Sequence, residues 1–109
     1  MIKSVDFYFD FISPYSFLAH KKLNSLNKNN KININYKPIL LGGLHKLGNI
    51  TPPAFNERKM KNMKNDCKLI AKKNNITFKW NDRFPINSLE LMRGYLTIDD
   101  NLKDKFFDI

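Results

Sequence analysis

The stretch DFYFDFISPYSFLAHKKL, residues Asp6–Leu23, decides the fold because its pattern of apolar residues changes halfway along. From Val5, which directly precedes this stretch, to Phe11, every second side chain is apolar: Val5, Phe7, Phe9 and Phe11. A period of two built from aromatic and β-branched residues is typical of a β-strand. We therefore predict a first strand over Val5–Phe11.

The second half of this stretch carries the signals of a helix start. Ser13 is a preferred N-cap residue, and Pro14 suits the first helical position, where its missing N–H is not needed. Apolar residues then recur at spacings of four and three: Ala19, Leu23 and Leu26. These features predict a helix from Pro14 to Asn27.

A second strand follows this helix after a short polar turn. Residues 27–31 are rich in Asn and Lys, and apolar and polar side chains then alternate from Ile32 to Tyr36 until Pro38 ends the pattern. Strand, helix and strand joined by short connections form a βαβ unit, whose strands should be parallel with a right-handed crossover. We assign residues 1–40 to this unit and residues 41–109 to a loop and a helical region.

The loop is predicted over Leu40–Pro53, where glycines and prolines favour at most a short helical turn. Thr51 is the expected cap of the next helix, which should end near Asn74–Asn75. The apolar stripe of that helix consists of Met60, Met63, Cys67 and Ile70. We interpret this stripe as packing surface.

Two further helices are predicted after an irregular connection over Ile76–Pro85. Asn87 or Ser88 can cap the first of them, and Asp99 or Asp100 can open the second. Their apolar faces are Leu89, Met92 and Leu96 in one helix, and Leu102, Phe106 and Ile109 in the other. The last helix carries no stop signal, so we expect the chain to end inside an element. We also expect large side chains at this end to be left exposed, namely Phe106, Phe107 and Ile109.

The composition narrows the functional classes for a chain of 109 residues, which suits one domain or a piece of one. The net charge of +9 is carried by 16 Lys and only 3 Arg, beside 15 Asn, which indicates a compositional bias rather than a nucleic-acid patch. The single cysteine, Cys67, allows no internal disulfide, and neither His20 nor His45 has a second metal ligand at a useful spacing. With no signal peptide and no long apolar run, we expect a cytoplasmic protein without metal, nucleic-acid or membrane partners.

Ser13 is the candidate catalytic residue because it lies where the first strand ends and the first helix begins. No cysteine stands there, but a hydroxyl can donate a hydrogen bond to a thiolate beside the free N–H groups of a helix start. Lowering a thiol pKa by two units requires ~2.7 kcal/mol, which a helix N-terminus (~0.3–2) and a charged hydrogen bond (~1.5–3) supply together. This indicates glutathione chemistry, and the alternative is that Ser13 only caps the helix.

Four segments, in their order and spacing, resemble one protein family: DFYFDFISPYSFLAHKKL, LLGGLHKLGNITPP, ERKMKNMKNDCKLIAKKNNITFKW and FPINSLELMR. The chain is similar over essentially its whole length to 2-hydroxychromene-2-carboxylate isomerases, which are relatives of kappa-class glutathione transferases in the DsbA-like thioredoxin superfamily. The resemblance implies an α/β, thioredoxin-like fold in which a βαβ unit precedes a helical insertion. Members of the family are about twice as long, so the C-terminal half of the fold is expected to be absent here.

The resemblance also implies roles for individual residues. Ser13 would stabilise the glutathione thiolate, Asn49 would lie in the glutathione and substrate site, and Lys59 would bind an anionic group of either ligand. Asn87 is carried over as a further substrate contact. The residues alone leave other interpretations open: a left-handed turn for Asn49, a solvated surface lysine beside the packing stripe for Lys59, and a helix cap for Asn87.

The implied activity is the glutathione-dependent interconversion of 2-hydroxychromene-2-carboxylate and trans-o-hydroxybenzylidenepyruvate in aromatic catabolism. Its partners would be glutathione and a small aromatic carboxylate, and the full-length form is expected to be a homodimer. A kappa-like glutathione transferase is the nearest alternative. A thiol oxidoreductase is disfavoured because Ser13 and Ser16 stand where two cysteines would be needed. A non-catalytic remnant or a basic binding module is the alternative of another class.

Overall fold

The computed structural model describes residues 3–29 and 31–107. Its elements follow in the order β1 (Lys3–Phe9), α1 (Pro14–Leu26), β2 (Ile32–Pro38), α2 (Leu41–Leu47), a short 3₁₀ turn (Pro53–Phe55), α3 (Glu57–Lys73), α4 (Leu89–Thr97) and α5 (Asp100–Phe106). No helix within the described ranges combines the length and the apolar character that crossing a bilayer requires.

The predicted βαβ unit is confirmed. β1 and β2 pair in parallel, with Lys3 opposite Ile32 at one end and Phe9 opposite Pro38 at the other. Helix α1 is the crossover between them. Asn27 joins this helix to β2, because its side-chain amide donates to the Ile32 carbonyl at 2.7 Å and its Oδ1 accepts from the Ile32 N–H at 2.9 Å.

The first strand ends earlier than predicted, at Phe9 rather than Phe11. The Asp10 carboxylate accepts a hydrogen bond from the Ile12 N–H at 3.0 Å, which turns the backbone immediately after the strand. The alternation of apolar side chains continues to Phe11 in the sequence, but the hydrogen-bonded strand pairing ends at Phe9. This side-chain turn brings the chain to Ser13 and the start of α1.

The segment predicted as a loop contains the helix α2, which is longer than the short turn allowed for it. Its end is a Schellman motif, in which the Asn49 N–H donates to the Lys46 carbonyl and the Ile50 N–H donates to the His45 carbonyl. Asn49 has a φ of 54°, so the left-handed residue is the asparagine and not the neighbouring Gly48. The glycines suggested a break in regular structure, but the helix forms and ends in this cap.

The next helix begins later than predicted, because Asn56 rather than Thr51 is its cap. The Asn56 Oδ1 accepts from the Lys59 N–H at 3.1 Å. Between the predicted cap Thr51 and the observed cap Asn56, Pro52 and Pro53 lead into the 3₁₀ turn, which separates α3 from Thr51. The predicted end is confirmed, with Asn74 as the C-cap and Asn75 in the left-handed conformation at φ 54°.

Two apolar cores lie on either side of the βαβ unit. One is formed between α1 and α3 by Leu18, Met63, Cys67 and Ala71, with Met60 and Ile70 packed against it, so the predicted stripe is confirmed as packing surface. The other is aromatic, and its buried members are Phe9, Met92, Tyr95 and Phe107. Helices α4 and α5 therefore fold back onto the sheet.

The expectation that the last side chains are exposed is wrong for Phe107, of which only 6% is exposed, and Phe106 is half-buried. The Phe107 ring stacks on the His20 imidazole with 3.9 Å between ring centroids. His20 also pairs with Asp104 of α5 through Nε2 at 3.1 Å and lies 2.8 Å from the Tyr36 hydroxyl. These contacts cover the end of α5, whereas Ile109 lies outside the described residues.

Candidate functional site

Ser13 caps α1 and at the same time keeps a donor free. Its Oγ accepts a hydrogen bond from the Ser16 N–H at 3.3 Å, so Ser13 is the N-cap of α1, as one of the two interpretations predicted. A hydroxyl has one proton to donate besides its acceptor lone pairs, and within the described ranges the Ser13 proton has no acceptor. The Tyr15 N–H, on the first turn, is also without a partner among the described residues. Two donors are therefore available at the start of α1.

The Tyr15 phenol is hydrogen-bonded to another helix. Its O–H donates to Asp66 Oδ2 on α3 at 2.7 Å. Burial, followed by this hydrogen bond and the Asp66 charge, raises the pKa of Tyr15 well above its ordinary value. Tyr15 thus stays protonated and fixes α1 against α3.

Cys67 is not a nucleophile in this fold. Its side chain is fully buried, and burial, with a smaller contribution from Asp66, raises the pKa of the thiol to about 11. A thiol needs exposure and a lowered pKa to react near neutral pH. Cys67 is the single cysteine of this chain, so these 109 residues supply no reactive thiol beside Ser13.

Ser13 lies on the wall of a cavity of about 540 Å³, between the start of α1, helix α2 and the 84–87 segment. Most of the wall is apolar, and it includes Leu41, Phe55 and Met63. The polar side chains that share it with Ser13 are Tyr15, His45 and Asn87. A mainly apolar cavity with a few polar groups is the usual form of a small-molecule site.

A second, smaller cavity of about 220 Å³ also has Ser13 on its wall. It is lined by aromatic side chains of the core and of the 78–84 connection, including Phe11, Phe17, Phe78, Trp80 and Phe84. Trp80 contacts Phe84 edge to face, with ring centroids 5.0 Å apart. Ser13 therefore lies on the walls of two cavities. The larger one could hold a thiol compound, and the smaller, aromatic one suits a planar ring.

Asn87 is the second predicted residue that the fold brings to the larger cavity. Its Oδ1 also accepts from the Leu89 N–H at 3.1 Å, which gives it a capping role at the start of α4. The neighbouring Ser88 is the N-cap residue of α4, but its side chain makes no capping hydrogen bond, because its hydroxyl donates to Asp10 instead. The Phe84–Pro85 peptide bond that precedes this segment is cis.

Asn49 and Lys59 do not line the cavity. Asn49 is exposed at the end of α2, in the left-handed turn that was its alternative interpretation. Lys59 is exposed on the first turn of α3, four residues before Met63. Because residues four apart lie on one face of a helix, Lys59 shares a face with Met63, which lines the cavity.

His45 was missed as a site residue by the sequence analysis. It lies on α2 and shares the larger cavity with Ser13, and its imidazole has no hydrogen-bond partner among the described residues. The direction of its side chain depends on helix α2, which the glycines of this segment conceal from a reading of local patterns. Groups of three or more His, Cys, Asp or Glu that could hold a metal ion do not occur within residues 3–29 and 31–107.

The chain is similar in sequence and in fold to known proteins. The sequence model of the DSBA-like thioredoxin domain matches residues 4–107. A 2-hydroxychromene-2-carboxylate isomerase of Sphingobium xenophagum is 54% identical over 39 residues, which cover 36% of this chain and 20% of that protein. Glutathione S-transferase kappa 1 of Caenorhabditis elegans is 39% identical over 69 residues, covering 62% of this chain and 30% of the transferase.

A solved structure of a 2-hydroxychromene-2-carboxylate isomerase superposes on the chain with a TM-score of 0.79 and 27% sequence identity. The superposition covers 96% of this chain and 52% of the isomerase. The chain thus spans about half the length of this relative, and the sequence matches above cover smaller fractions of theirs.

Proposed function

Because the chain belongs to the DSBA-like thioredoxin domain family, we propose that it carries the thiol-binding part of a glutathione-dependent isomerase that interconverts 2-hydroxychromene-2-carboxylate and trans-o-hydroxybenzylidenepyruvate. The observation that carries the proposal is the Ser13 hydroxyl at the start of α1, which lies on the wall of a cavity and whose proton has no acceptor among residues 3–29 and 31–107. The relatives named as isomerases support the choice of reaction.

The residues at the start of α1 fit a thiolate. The Ser13 O–H and the Tyr15 N–H are unpaired donors within the described part of the chain, and the positive end of the helix dipole lies beside them. A hydrogen bond to a charged group contributes ~1.5–3 kcal/mol, which corresponds to a thiol pKa lower by about one to two units. Bound glutathione would supply the sulfur that adds to the substrate and leaves unconsumed after ring opening and bond rotation.

The substrate would bind across the same wall. Its aromatic ring suits either the apolar surface beside Phe55 or the smaller aromatic cavity beside Trp80. An anionic carboxylate needs a donor in such surroundings, and His45 and Asn87 are available on the larger cavity. We propose that Lys59 and Asn49 act at the rim, where the long Lys59 side chain lies one turn beyond the buried Met63.

A kappa-like transferase is the second candidate, and the longer match to the Caenorhabditis elegans protein favours it. The same Ser13 donor would serve a transferase, but glutathione would be consumed with an electrophile. Incubation with substrate and limiting glutathione separates the two, since only the transferase stops when the thiol is used up. A basic binding module would instead bind DNA with an affinity that falls steeply with salt.

The test of the proposal is the substitution Ser13→Ala. We expect the pKa of bound glutathione, read from ultraviolet thiolate absorbance, to rise by about one to two units, because the charged hydrogen bond is lost. Loss of the cap should cost only ~0.5–2 kcal/mol of folding free energy. Ser25→Ala, at an exposed position near the other end of α1, is the matched control. An unchanged thiol pKa in Ser13→Ala would remove Ser13 from this role.

A further inference from the structure

Asp10 is a carboxylate in an unusual place. Only 1% of it is exposed, at the end of β1 and directly before the turn to Ser13. Buried carboxylates are rare unless cations or donors satisfy them. Among the residues that the structure describes, no Lys, Arg or His forms an ion pair with Asp10. Its charge is met by hydrogen bonds instead.

Three separate segments donate these hydrogen bonds. Oδ1 accepts from the Ile12 N–H at 3.0 Å and from the Ser88 hydroxyl at 2.6 Å. Oδ2 accepts from the Leu41 N–H at 2.8 Å. The Asp10 backbone carbonyl also accepts from the Ser13 N–H at 3.0 Å. One residue thus connects the turn before α1, the first residue of α2 and the residue preceding α4.

Each of these segments is a wall of the larger cavity. Ile12 and Leu41 line it themselves, and Ser88 directly follows Asn87, which lines it too. Asp10 does not line the cavity and lies behind its wall. The carboxylate therefore holds three wall segments of the cavity in place relative to one another, although Asp10 itself does not line the cavity.

We infer that Asp10 is a positioning residue that holds Ser13, α2 and Asn87 in register around the thiol site. The inference rests on the proposed function for its chemical meaning and goes beyond it in assigning the geometry of the site to one buried carboxylate. Useful sites are held within about 0.5 Å by such supporting contacts. Only a carboxylate accepts on both oxygens, whereas an asparagine would turn an NH₂ group toward one of the donors.

The first experiment measures amide hydrogen exchange of the chain without any ligand. In Asp10→Asn we expect faster exchange at Ser13, Leu41 and Leu89 together, because the three segments lose their common anchor. Asp6→Asn is the matched control, since Asp6 is an exposed carboxylate on the same strand that bonds only the Asn35 side chain among the described residues. Unchanged exchange in Asp10→Asn, or a change confined to one segment, overturns the inference.

The second experiment separates positioning from general stability. Affinity for glutathione is compared with affinity for S-methylglutathione, which has no ionisable thiol. In Asp10→Asn and in the milder Ser88→Ala, we expect the glutathione affinity to fall by about tenfold while S-methylglutathione binds nearly as before. Ser88→Thr keeps the hydroxyl and should restore the preference for the free thiol. Equal losses for both ligands in the variants would mean a merely structural role for Asp10.

The two proposals fail in different ways. If the unsubstituted chain binds neither ligand, the proposed glutathione function is wrong, and the exchange experiment still decides whether Asp10 joins the three segments. If the chain prefers glutathione and keeps that preference in Asp10→Asn, the positioning role alone is wrong.

Discussion

Asn49 and Asn75 have the same backbone geometry but different expected roles. Each has a φ of 54° and stands at the left-handed position of a Schellman motif, after α2 and after α3. Glycine has no steric cost in this conformation, whereas other residues pay on the order of 1 kcal/mol. The two residues therefore make a matched pair for testing whether the Asn49 side chain binds a ligand.

We predict that Asn49→Gly keeps or slightly raises the free energy of unfolding, by up to about 1 kcal/mol, and weakens glutathione binding. Asn75→Gly should match it in stability and leave glutathione binding unchanged. Urea unfolding and calorimetric titration measure the two quantities. Equal glutathione affinity in both variants would leave Asn49 with the structural role alone.

Lys59 is tested by removing its charge. Lys59→Met keeps helix propensity and most of the side-chain length, so we expect stability to hold within about 0.5 kcal/mol and affinity for an anionic ligand to fall. Titration with glutathione and with an aromatic carboxylate provides the measurement. Lys61→Met, also exposed on α3, is the control. Equal affinities in Lys59→Met and Lys61→Met would mean that Lys59 is a solvated surface lysine without a role in ligand binding.

The site residues that could be predicted are those with local signals. Ser13 follows a strand and precedes Pro14, so its place at a helix start could be recognised from the sequence. His45 could not be placed, because the direction of its side chain depends on a helix that the glycines concealed. Asp10 had the appearance of an outward residue of an alternating strand. Two of the three donors to its carboxylate, on Leu41 and Ser88, are distant in sequence, so the local pattern did not indicate its burial.

The burial of the Cys67 thiol on helix α3 can be tested by its reactivity. Cys67 has a pKa of about 11 against an ordinary 9.0, so near pH 8 its thiolate population is about a hundredfold lower than in the unfolded chain. We predict that iodoacetamide labels native Cys67 at least a hundredfold more slowly than it labels the chain in urea. Free glutathione in the same tube checks the reagent. Rapid labelling of the native chain would contradict the burial of this stripe.

The sign of the pH dependence follows from the same pKa. The folded chain keeps the Cys67 proton to a higher pH than the unfolded chain does, so this group stabilises the fold below about pH 9. That contribution is lost as the pH rises toward 11. Native labelling should accelerate over the same interval.

Among the elements, the sequence predicted best those defined by periodicity. The βαβ unit, the α3 stripe and the helix end at Asn74 follow from local patterns and are confirmed. Boundaries set by a side-chain turn or by competing caps were wrong, as at Phe9 and Asn56. At Phe9 the deciding contact is the hydrogen bond from the Ile12 N–H to the Asp10 carboxylate, and at Asn56 it is the hydrogen bond from the Lys59 N–H to the Asn56 side chain.

For the whole molecule, Phe107 connects the last helix to the sheet. Its ring packs against Phe9 at 5.1 Å and against Phe11 at 4.9 Å, in addition to His20. Truncation of a buried phenylalanine typically costs 3–5 kcal/mol through lost contacts and a cavity. We predict a loss of about this size for Phe107→Ala, measured by urea unfolding, and a smaller loss for Phe107→Leu.

Leu102 of the same helix is the control for this substitution, because 45% of it is exposed. Leu102→Ala should change the free energy of unfolding by about 0.5 kcal/mol or less. If Phe107→Ala is equally mild, α5 does not contribute to the core as its contacts indicate.

Helix ends made from asparagine have a practical consequence for anyone redesigning this chain against chemical ageing. Deamidation-resistant versions of proteins are usually made by exchanging asparagine for glutamine, serine or aspartate, and the 15 asparagines here invite such a programme. Several of them close or open an element: Asn27, Asn49, Asn56, Asn75 and Asn87. A longer side chain cannot reach the same backbone groups, and a residue that avoids left-handed backbone cannot replace Asn49 or Asn75. A durable version would therefore start with exposed positions such as Asn62 and Asn101 and use glycine at Asn75, for which no ligand role is proposed. The other element ends would be left as they are.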